Sequence, residues 1–140
     1  MRVTRSRLRP QDLNGKARAY AKEMADRWRR VGLEVDLVEY LGTSTEPGGY
    51  TISARSNSSV MSCRCQAWRV RRLLGRRRGL WTITVSVRPA LQDPTAAPVP
   101  PQVVVVASWE HDRAWEKVQG WIDEGTELPR TLDGALASID

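Results

Sequence analysis

Two cysteines one residue apart, Cys63 and Cys65, and the only histidine, His111, are the side chains best suited to bond-making chemistry. A thiolate can attack carbon or hold a soft metal, and an imidazole can move a proton near neutral pH. Neither pattern is complete. Zinc needs three or four ligands, and a redox pair normally has two residues between its cysteines. As a helix, the Cys63 segment would turn the two thiols to different sides; as a strand, it would place them on one face. His111 stands between Glu110 and Asp112 where a helix should begin, and acidic residues there suit the helix dipole without catalysis. The sequence therefore predicts no catalytic residue, no bound metal and no cofactor. The enzyme reading, a small catalyst built on Cys63, Cys65 and His111, is the minor alternative.

The other chemistry is ionic. Eight arginines and no acidic residue lie between Arg64 and Arg88. Arg69, Arg71, Arg72, Arg76, Arg77 and Arg78 are the densest part, and the sequence predicts a basic turn there, closed by Gly75 and Gly79, with Trp68 and Trp81 nearby. Guanidinium groups grip phosphate or carboxylate in a fork, so this turn is the expected contact for a polyanion or a partner. Single-stranded nucleic acid also wants flat side chains to stack on. The turn lacks the lysine and Ser/Thr of a phosphate-binding loop. Arg2, Arg5, Arg7 and Arg9 form a second possible contact, as a charged strand edge or as an arm reaching a neighbouring subunit.

Charge is divided along the chain. Residues 1–108 hold 19 basic and 8 acidic side chains and residues 109–140 hold 3 and 8, which gives +11 and −5 and the overall +6. The acidic part either folds back on the arginines or marks a second binding face. Lysine is scarce beside arginine and phenylalanine is absent. That bias suits a GC-rich genome, an actinobacterium or a phage of one. With 140 residues, 41% hydrophobic, the chain fits one globular domain. It has neither a bilayer-spanning apolar run nor a signal-peptide core, so it is expected in the cytoplasm, or assembled from there into a virion.

These residues must be positioned by regular elements. Helical spacing of Leu13, Ala17, Tyr20, Ala21, Met24, Trp28 and Val31 predicts a helix over 11–31, begun by Pro10 and closed by Gly32. Residues 33–41 and 50–55 alternate as two antiparallel strands around a loop at Gly42–Gly49, which contains Glu46-Pro-Gly-Gly49. The stretch 58–74 is legible two ways. Its length and propensity favour a helix; as a strand it changes face at Trp68, which calls for a bulge. Trp81–Val87 alternates as a strand. Val103–Val106 is apolar throughout and is expected at the centre of the sheet. Ser108 should cap a helix ending near Gly125, and Thr131 a last short one. A basic arm at 1–9 and a Pro-rich loop at 91–101 lie outside this pattern.

The sequence thus predicts a single α+β domain over 1–140, a two-layer antiparallel sheet of four or five strands with an N-terminal and a C-terminal helix packed on it. The expected function is that of a non-enzymatic binding or assembly protein working through its arginine-rich turn. It would be a subunit of a larger assembly, such as a phage connector or tail component, or a nucleic-acid binder on the phosphate backbone. An immunity-type inhibitor of a partner protein is the further alternative. The expected partners are a protein or other copies of the chain, or nucleic acid, and no membrane.

Overall fold

A computed structural model describes residues 3–71, 77–90 and 94–139, with residue 77 described for its backbone alone. The fold is α+β: a six-stranded antiparallel sheet with helices packed on it. The strands are β1 (Leu8–Pro10), β2 (Glu34–Tyr40), β3 (Gly49–Arg55), β4 (Ser59–Arg71), β5 (Arg77–Pro89) and β6 (Gln102–Ser108). Strands β2 to β6 lie side by side in sequence order. The short β1 pairs with β4 beyond the end of β3, so β1 and β3 share one edge of β4. A 3-10 turn, Arg5–Arg7, precedes β1, and the helices are α1 (Gly15–Arg30), α2 (His111–Glu124) and α3 (Leu132–Ala137).

α1 packs on β2 and β3, and α2 on β5 and β6. Together they bury Ala21, Met24, Trp28, Tyr50, Ile52, Cys63, Cys65, Ile83, Val85, Trp115 and Val118 in the main core. The other side of the sheet carries a smaller core: Val3, Leu8, Val70, Leu80, Val105 and Ala107 under Ala135, Leu136 and Ile139.

Several expectations are corrected. The stretch 58–74 is not a helix; its described part is β4, in unbroken register with β5 from Ser59↔Pro89 to Arg71↔Arg77. It needs no bulge at Trp68, because the buried face changes for a different reason. Cys63, Cys65 and Ala67 point into the main core, while Trp68 and Val70 point into the smaller one. A strand buried on both sides at one end loses its simple alternation and mimics a helical stripe. Pro10 does not start the first helix. It closes β1, and α1 begins at Gly15 with Asn14 Oδ1 accepting the Ala17 amide at 2.8 Å. Val103–Val106 is not central. β6 is the last strand, apolar because α2 covers one face and α3 packs on the other. Its outer edge is also engaged, the Val105 amide donating to Pro129 O at 2.8 Å. Ser108 caps α2 only indirectly, accepting from the Glu110 amide, and Glu110 is the N-cap. Gly32 and Gly125 end their helices with positive φ and Thr131 caps α3, as the sequence indicates.

Candidate interaction surface

β4 and β5 are each 13 residues long, whereas β3 and β6 have 7. Their hairpin therefore overhangs its neighbours, and the predicted arginines sit on the overhang. Arg69 and Arg71 end β4, just before the predicted turn, while Arg77, Arg78 and Gly79, expected in the turn itself, begin β5. Arg72 and Arg76 lie outside the described residues.

Residues directly opposite across strands share a face. Arg9 on β1 is opposite Arg69, which is opposite Gly79, and Arg71 is opposite Arg77. Arg9, Arg69 and Arg71 thus lie on the side of the sheet that carries α1 and α2, past the ends of those helices. Like charges directly opposite, as Arg9 and Arg69 are, are destabilising. Arg78 is on the reverse side, its guanidinium 4.8 Å from the Trp109 ring centroid.

The acidic C-terminal quarter does not neutralise this hairpin. Among the described residues its link to the predicted arginines is one exposed ion pair, Arg5 to Asp133 at 3.5 Å. Arg69, Arg71 and Arg78 form no ion pair with any described residue. The other predicted contact is not a reaching arm. Val3 and Leu8 are buried in the smaller core, the Val3 amide meets Leu136 O at 3.5 Å, and Arg9 donates to Ser6 O and Leu8 O. Arg7 belongs to the 3-10 turn, and Arg2 lies outside the described residues.

The bond-making candidates meet in a way the sequence does not announce. His111 opens α2 and reaches β3, with its Nε2 against the Tyr50 hydroxyl and its Nδ1 3.1 Å from Asp112 Oδ1. Trp115 Nε1 donates to the same hydroxyl at 2.7 Å. A neutral ring satisfies all of this: Nδ1–H donates to the carboxylate and Nε2 accepts from Tyr50 O–H. Burial lowers the His111 pKa, opposed by Asp112, and burial raises that of Tyr50. Burial also pushes the Cys63 and Cys65 thiols up to about 12, so neither is a thiolate near neutrality. A cleft of about 310 Å³ adjoins the network, lined by Asn14, Lys16, Trp81, Glu110, His111 and Asp112. Both imidazole nitrogens are engaged inside the protein, which leaves the ring no lone pair for a substrate in that cleft. Among the described residues no three of His, Cys, Asp and Glu gather to hold a metal, and no helix is long and apolar enough to cross a membrane. The signal for this network was Tyr50, which reads in sequence only as a strand residue.

Neither a family model, nor a curated protein, nor a solved structure matches this chain.

Proposed function

We propose that this is a non-enzymatic binding protein that serves as a subunit of a larger protein assembly, docking the basic end of the β4–β5 hairpin onto an acidic protein surface. The observation that carries the reading is the like-charged row Arg9–Arg69, with Arg71 two residues further along the same face, at the end of an overhanging hairpin. Folding is opposed by such a row, and a carboxylate surface would relieve it. The acidic residues of 109–140 give a second copy of the chain the complementary charge. Contact between two different patches makes a head-to-tail interface, which closes into rings or runs on as a filament. Phage connectors and tails are assemblies of that kind, and the arginine bias suits an actinobacterial source. An immunity-type inhibitor would use the same hairpin on a single acidic partner.

Sedimentation velocity over a range of concentrations tests this. The wild type should associate at low salt and dissociate as salt rises, and Arg69→Gln/Arg71→Gln should stay monomeric throughout. A wild type that is monomeric at every concentration, yet binds DNA in a way the double variant loses, would overturn the assembly reading in favour of phosphate contact.

A further inference from the structure

Among the described residues, the side of the sheet facing away from α1 and α2 is covered at one corner, where α3 and the segment Val3–Pro10 sit over Val70, Leu80, Val105 and Ala107. Beyond that corner no described helix packs on it. Short hydroxyl side chains occupy the open part in adjacent rows. Arg64 stands between Thr51 and Thr84, and Ser62 between Ser53 and Ser86.

Cations line this face along the central hairpin. Arg78, Arg64 and Arg88 stand in register with Val70, Thr84 and Val60, so the gaps between them are about 20 Å and about 14 Å. All three are exposed, and none forms an ion pair with a described residue. Two lie near rings: the Arg64 guanidinium is 5.4 Å from the Tyr40 centroid, with its Nε donating to the Tyr40 hydroxyl at 3.1 Å, and that of Arg78 is over Trp109. Trp68, which packs against the smaller core and keeps part of its indole exposed at that core's border, lies between Arg78 and Arg64 along the strand, and its Nε1 donates to Thr82 Oγ1 at 2.9 Å. The acidic residues of the face, Glu34 and Asp36, are confined to the border strand β2.

We propose that this open face binds single-stranded nucleic acid. Phosphates would meet Arg78, Arg64 and Arg88, while unpaired bases would stack on Trp68 and on the guanidinium planes, with hydroxyls and Gln66 between them as hydrogen-bonding groups. A duplex fits less well, because its bases are stacked inside and a flat sheet face offers nothing that enters a groove. An acidic protein would pair with the arginines but make no use of the flat groups. This surface is on the opposite side from Arg9, Arg69 and Arg71, so the inference goes beyond the docking role of the hairpin end.

Fluorescence anisotropy with a labelled oligo-dT of about twenty nucleotides, a duplex of equal length, and polyglutamate as competitor tests it. The wild type should bind the single strand more tightly than the duplex. Arg64→Gln/Arg88→Gln alters two exposed residues and should keep the wild-type circular dichroism. Its slope of log affinity against log salt should be shallower by about 1.4, at about 0.7 per lost phosphate contact on a single strand. Arg69→Gln/Arg71→Gln should keep the wild-type slope while losing self-association, so the two surfaces fail separately. No binding of oligo-dT, equal binding of the duplex, displacement by polyglutamate as effective as by unlabelled oligo-dT, or an unchanged slope in Arg64→Gln/Arg88→Gln would each overturn the proposal.

Discussion

At the scale of single residues, Gly49 and His111 show how much chemistry hides in ordinary positions. Gly49 reads in the sequence as the end of a turn, but it opens β3 where that strand meets β4. A Cβ there would stand 2.1 Å from the Cys65 carbonyl oxygen, so backbone must move to admit it. Gly49→Ala should therefore cost about 1–3 kcal/mol, measured by urea unfolding. His111 carries a pH dependence whose sign follows from its burial. Its folded pKa lies below the ordinary 6.5, so between those two values the unfolded chain binds the extra proton. Stability should be level above about pH 7, fall as pH drops through 6.5, and level off again below the folded value. No other histidine is present to contribute. Unfolding midpoints between about pH 8 and pH 5 check this, and a His111→Gln variant should lose the slope in that window. Tyr50, which joins His111 to Trp115, was beyond reach in the sequence because nothing in β3 says which strand residue meets the start of α2.

At the scale of elements, the smaller core depends on α3, a helix of 6 residues too short to persist alone. Leu136 is fully buried in that core. Leu136→Ala should lower stability by about 2–5 kcal/mol, and Thr131→Ala, which removes the cap on the Gly134 amide, by about 1 kcal/mol. Thermal unfolding of the two variants should reproduce that order. The same core explains which elements the sequence discloses. α2 buries one clean face, and β5 does so beyond Leu80–Thr82, where it is buried on both sides, so periodicity reveals them. β4 and β6 are covered on both sides for part of their length, which made one look helical and the other look central. The first helix was legible in its apolar stripe but not at its start, because Pro10 suits β1 as well as a first helical turn and only the fold decides between them.

At the scale of the whole molecule, charge and stability pull in opposite directions at the hairpin end. Arg69→Gln/Arg71→Gln removes the cation opposite Arg9 together with its neighbour on that face, so at low salt it should raise stability by about 0.2–1 kcal/mol, a gain that shrinks as salt screens the wild type. Paired urea titrations at low and high salt measure this, and a destabilised variant would mean the arginines have a stabilising partner. The division of charge between the two parts of the chain was plain in the sequence. Its meaning was not, since only the fold shows that, among the described residues, the acidic quarter forms no ion pair with Arg69 or Arg71. The two-sided sheet also sets an order of events in time. The smaller core is assembled from Val3 and Leu8 at one end of the sequence, Val70 and Leu80 in the middle, and Leu136 and Ile139 at the other. Contacts so far apart in the chain close slowly, whereas β4 and β5 meet through a short connection. This core, which hangs on the short α3, should open before the main one. In hydrogen exchange, the amides of Val3 and of Leu132–Ala137 should exchange by partial opening well before those of Cys65 and Ile83, which wait for the whole molecule to unfold.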